Sequence, residues 1–102
     1  MSFASRVYEV ASTIPPGKVS TYGAVAKALD CKAYQAVGVV LSKNPFAPKV
    51  PCHRVIRSDR SLGGFMGSSD NTKKRTLLES EGVVFESDGR VSSLCVVTLS
   101  TE

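Results

Sequence analysis

Pro15-Pro16-Gly17 ends the first helical pattern of this chain, and a stop that early commits the rest to short elements folded back on one another. Ahead of it, Phe3, Val7, Val10, Ala11 and Ile14 recur at helical spacing behind Ser2, a good N-cap. Ser20 or Thr21 can cap a second helix running through Leu29, with Val25, Ala26 and Leu29 facing inward. A tight turn at Asp30-Cys31-Lys32 leads to a third helix over residues 33–43, which ends before Asn44-Pro45. On their own these two helices read as a plain helical hairpin; the basic charge and the motif described below favour a helix-turn-helix.

The second half is more extended. Residues 50–57 read as a strand or extended segment, and residues 61–68 form a glycine-rich loop with no Gly-Lys-Ser/Thr to make it a phosphate cradle. A fourth helix is expected over residues 70–80, with Thr76, Leu77 and Leu78 toward the core and Gly82 as its C-terminal cap. Residues 83–85 and 91–99, separated by Ser87-Asp88-Gly89-Arg90, resemble a hairpin or wing. The expectation is one domain over residues 1–102, mainly α with small β, winged helix-turn-helix-like.

Charge narrows the partners. Residues 1–60 carry nine Lys or Arg against three acids, a balance of +6, while the remainder has four against six, −2. A basic half fits a polyanion such as DNA as well as it fits an ordinary solvated surface. No apolar run is long enough for a membrane span and no signal-peptide core opens the chain, so an intracellular protein without a membrane role is expected. Three cysteines at unrelated spacings and a single histidine give neither a disulfide framework nor a zinc site, and no metal or cofactor is expected.

The chemistry centres on Pro51-Cys52-His53-Arg54-Val55-Ile56. A free cysteine is most often a small apolar filler. Here, however, Cys52 stands beside the chain's one histidine, and an imidazole can draw off a thiol's proton to make the attacking thiolate.

Taken with Lys18-Val19-Ser20-Thr21-Tyr22-Gly23, Ala36-Val37-Gly38, Asn44-Pro45 and Leu78-Glu79-Ser80-Glu81-Gly82, this motif closely resembles the C-terminal, DNA-binding domain of the O6-alkylguanine-DNA alkyltransferases. The similarity runs in register over residues 7–82, with a one-residue contraction near Asp30. The resemblance implies repair of O6-alkylguanine in double-stranded DNA by stoichiometric transfer of the alkyl group to Cys52, with the nucleotide rotated out of the duplex. It assigns His53 as base through a water, Glu81 as the partner of the other imidazole nitrogen, and Asn44 as a tie to the backbone around the site. It places Tyr22, Val55 and the loop residues Gly64, Phe65 and Met66 around the flipped base. Thr21, Lys32, Gln35, Ala36, Gly38, Leu41 and Arg54 would face DNA, the third helix entering the minor groove, and the protein would act as a monomer.

The sequence departs from the family pattern in places. Gln35 stands where an arginine normally fills the vacated stack, and Phe65 and Met66 replace a common tyrosine and a small residue. A chain without the N-terminal domain that many alkyltransferases carry is expected, and its length resembles the alkyltransferase-like proteins, which bind the lesion without repairing it. Those have tryptophan or alanine in place of the nucleophile, so Cys52 favours the enzyme, with a lesion sensor as the alternative. A helix-turn-helix regulator would need base-reading side chains that Ala33, Ala36, Val37 and Val39 do not supply. A cysteine hydrolase would need flanking residues that are absent.

Overall fold

The structure is a computed structural model that describes residues 2–32, 34–44, 50–63, 71–97 and 99. Helix α1 (Phe3–Ala11) begins where Ser2 Oγ accepts from the Ser5 amide, and it buries Val7 and Ala11. Helix α2 (Tyr22–Ala28) is capped by Thr21, whose Oγ1 accepts from the Ala24 amide at 3.0 Å. Ser20, the other candidate cap, donates instead to the Val97 carbonyl at 2.9 Å.

Helix α2 closes with the Cys31 amide donating to Ala26 and the Asp30 amide to Lys27, the paired bonds of a Schellman ending. That ending requires a left-handed residue, and Asp30 supplies it at φ 56°. Helix α3 (Tyr34–Ser42) then packs on α1 and α2.

Between α3 and the sheet the expected extended segment is tighter than its sequence reads. Pro51 sits at φ −82°, ψ 68°, an inverse γ-turn in which the Cys52 amide donates to the Val50 carbonyl at 2.8 Å. A 3₁₀ turn, Cys52–Arg54, follows. Only then does the chain extend, into β2 (Val55–Ile56), parallel to β1 (Ser20–Thr21) with Ser20 opposite Val55. Proline has no amide hydrogen to give a ladder, so strand pairing starts late.

Helix α4 (Thr72–Ser80) lies within the expected range but turns a different face inward. Thr76 is exposed and Leu77 half-buried, while Leu78 and Lys74, one turn apart, are buried. The Val83 amide donates to Leu78 and the Gly82 amide to Glu79, a second Schellman ending, with Gly82 at φ 92°.

The wing is reduced to one bridge, Phe85 with Val91, around a turn containing Gly89. The later part of residues 91–99 leaves that hairpin, since Val96 bridges in parallel to Val19. Among the described residues the fold is therefore four α-helices with a small two-stranded sheet, mainly α as expected.

Successive residues of β2 point to opposite faces and join different apolar clusters. Val55 packs with Val7, Ala11, Val25, Val37 and Leu41 of the three-helix half, and Ile56 with Val19, Leu62, Leu78 and Val91. The 3₁₀ turn preceding β2 therefore sits at the seam between the clusters. No helix among the described residues is long and apolar enough to cross a membrane.

Candidate nucleophile site and adjoining cleft

Three consecutive residues of a 3₁₀ turn project about 120° apart, so Cys52, His53 and Arg54 point three ways rather than alternating as in a strand. Cys52 is 5% exposed and packs with the first cluster. His53, 2% exposed, places Nε2 3.1 Å from Glu81 Oε2. With that nitrogen donating to the carboxylate, Nδ1 carries a lone pair that can accept a proton.

Burial pushes His53 below the usual histidine value, and its bond to Glu81 offsets this only in part. The Arg54 guanidinium holds Glu81 below the usual carboxylate range. Arg54 Nε bonds Oε1 at 3.0 Å and Nη2 bonds Oε2 at 2.5 Å, while Nη1 donates to the Ile14 carbonyl at 2.8 Å. Arg54, expected to face DNA, has a side chain that is 14% exposed and turned onto Glu81.

Asn44 is 1% exposed and donates from Nδ2 to the Val50 carbonyl at 2.8 Å, the same oxygen that receives the Cys52 amide. The segment entering the turn is thereby tied down from the end of α3.

Tyr22 opens α2, and burial raises its pKa, with a negative Cys52 adding to the rise. Lys74 Nζ lies 5.7 Å from the Tyr22 ring centroid and donates to the Leu62 carbonyl at 2.7 Å. Burial pushes Lys74 down to about 8, and a negative Cys52 works against that fall. Cys52, Tyr22 and Lys74 thus share one electrostatic neighbourhood. Sequence reading missed Lys74 because a lysine in a polar helix reads as a solvated face; its spacing four residues before Leu78 was the available signal.

Beside Tyr22 runs an open cleft of about 1060 Å³, lined among others by Lys27, Lys32, Gln35, Gly38 and Arg57. Gln35 and Ala36 are exposed on α3, but Ala36 does not line the cleft. A Cβ built on Gly38 would meet nothing within 4 Å, so packing inside the protein does not require glycine there.

Thr21 is half-buried and engaged in capping α2, while Val55 is fully buried in β2. Leu41, expected at the DNA-facing end of α3, is 3% exposed and packs in the first cluster. Gly64, Phe65 and Met66 lie outside the described residues. Among the described residues no cluster of histidine, cysteine and acid could hold a metal.

This small helical fold thus seats a cysteine in sequence next to a histidine braced by a glutamate, beside a cleft whose lining holds Lys27, Lys32 and Arg57 together with Asp30 and Asp59. The family model for the 6-O-methylguanine DNA methyltransferase, DNA binding domain, matches residues 2–83, and the chain belongs to that family.

A methylated-DNA--protein-cysteine methyltransferase of Methanothermobacter thermautotrophicus is 48% identical over 84 residues, covering 82% of this chain and 46% of the relative. One from Metallosphaera sedula is 44% identical, over 79% of this chain and 49% of its own. The chain thus spans about half the length of these curated relatives.

Among solved structures, Mycobacterium tuberculosis OGT in complex with DNA matches at TM-score 0.74 and 38% identity, over 80% of this chain and 50% of that one. S. pombe Atl1, in complex with damaged DNA containing O6-carboxymethylguanine, matches at TM-score 0.73 and 32% identity, over 88% of this chain and 86% of that one.

Proposed function

We propose that this chain repairs O6-alkylguanine in double-stranded DNA by moving the alkyl group to Cys52, once per molecule. The observation that carries the reading is the His53 Nε2 to Glu81 Oε2 contact at 3.1 Å on the residue next to Cys52. His53 takes the Cys52 proton, through a water because the 3₁₀ turn splays the two side chains. The thiolate attacks the alkyl carbon, the new S–C bond forms as the C–O bond breaks, and the electron pair passes to guanine O6. The proton held by His53 then goes back to the guanine, so charge and protons balance without a cofactor. The product thioether offers no route back to a thiol, and the reaction stops at one.

On this reading the cleft along α3 receives DNA from the minor groove, as a monomer inside the cell. The phosphates meet Lys27, Lys32 and Arg57, and Gly38 allows backbone to approach the groove closely. Gln35 enters the space left by the flipped nucleotide, and Tyr22 packs on the base.

Intact-mass measurement with excess O6-methylguanine duplex tests the reading. One added methylene on the Cys52 peptide is expected, with Cys52→Ser binding DNA normally and gaining nothing. The match to Atl1 over most of both chains supports a second reading, lesion binding without transfer. Tight binding to the lesion with no adduct on Cys52 would establish that one instead.

A further inference from the structure

Glu81 is in an unfavourable place for a carboxylate. It is the C-cap of α4, where the helix's unpaired carbonyls concentrate negative charge, and it has only 17% of its side chain exposed. Two donors make that position tolerable, and they are unequal. Arg54 reaches both carboxylate oxygens, whereas His53 reaches only Oε2. Arg54 is itself anchored across the molecule on the Ile14 carbonyl at the exit of α1. Gly17, in the same exit loop, would bring a Cβ within 3.1 Å of the Glu81 carbonyl, so backbone closes on this end of α4 as well. The guanidinium and carboxylate form a planar fork with little freedom to rotate.

We propose that Arg54 is a positioning residue which, by occupying both oxygens of Glu81, leaves His53 a neutral imidazole with its proton on Nε2 and Nδ1 open to receive another. This rests on the reading of His53 as the base. A carboxylate in this place without its guanidinium would recruit positive charge from the nearest titratable neighbour, and that neighbour is His53. The charged groups facing the imidazole are Glu81, Arg54 and Lys74; the first favours the imidazolium and the other two oppose it. Arg54 therefore acts twice in the same direction, through its own charge and by sharing Glu81.

His53 is the only histidine in the chain, so its imidazole resonances can be followed through a pH titration without assignment and without any activity. Arg54→Met is expected to raise the His53 midpoint by about one pH unit, of the order a removed neighbouring charge produces. Arg54→Lys, which keeps a charge but not the fork, is expected to raise it less. Combined with Glu81→Gln, the Met substitution should move the midpoint much less than it does alone. A midpoint that is unchanged or lowered in Arg54→Met, or a shift of the same size with and without Glu81, would overturn the proposal. If Arg54→Met does not fold, Arg54→Lys carries the test, a rise supporting it and no rise overturning it.

Transfer assays supply the second readout. The acidic limb of the rate profile should move upward with the midpoint, a loss of about tenfold for each pH unit below it, and recover in alkali. A loss equal at every pH would mean a structural role only and overturn the proposal. Wild-type protein that makes no adduct at any pH refutes the repair reading while leaving the titration to decide Arg54.

Discussion

Lys74 puts an ammonium group where almost no water reaches, 1% exposed, with a carbonyl, a phenol and an aromatic face as its surroundings. Its pKa in the folded protein, about 8, lies below the ordinary lysine value of 10.5. Across that window the unfolded chain binds more protons than the folded one, so this group makes stability rise with pH. The rise should total about 3 kcal/mol when the window is crossed fully. Urea unfolding of wild-type and Lys74→Met protein at about pH 8 and about pH 10 isolates the effect, because other groups titrate equally in both. The wild type should gain stability relative to the variant, and parallel changes would refute the argument. Nothing in the local sequence announces this residue, since its partners Leu62 and Tyr22 come from distant segments. Glu81, by contrast, was placed correctly at its helix end because Gly82 marks that end locally.

At the scale of elements, α3 shows what a helix gives up to leave a surface bare. Gly38 sits in its interior and lines the cleft, yet beyond its own turn of helix nothing described lies within 4 Å of the position a Cβ would take. Glycine in a helix interior is worse than alanine by roughly 0.5–1 kcal/mol. Gly38→Ala is therefore expected to raise stability by about that amount in thermal unfolding while weakening affinity for duplex DNA in a salt-controlled titration. Unchanged affinity would remove the close-approach role given to α3. The helices were legible because their caps and stops are local: Ser2, Thr21 and Gly82 each act within a few residues. The strands were not, because pairs of two residues are set by partners far along the chain. Residues 50–57 offered β-branched side chains, but Pro51 bent them into a turn first.

Over the whole molecule, the small sheet is what joins the halves. Val19 exchanges backbone hydrogen bonds with the C-terminal segment, receiving the Val97 amide at 2.8 Å and donating to the Cys95 carbonyl at 2.9 Å. Next to it, Ser20 reaches the Val97 carbonyl across 77 residues of sequence. Ser20→Ala should cost about 1 kcal/mol, read as a lower urea midpoint at constant m, and no change would mean that water replaces the bond without loss. The same parallel pairings carry a kinetic consequence. Each demands closure of a long loop before it returns any stabilisation, so a chain with mostly helical composition inherits the slow assembly of a non-local topology. His53 and Glu81, 28 residues apart, come together only when both clusters have formed around β2. A newly made chain therefore passes through a period in which its helices exist but His53 has no carboxylate to brace it, and that pairing arrives late in folding.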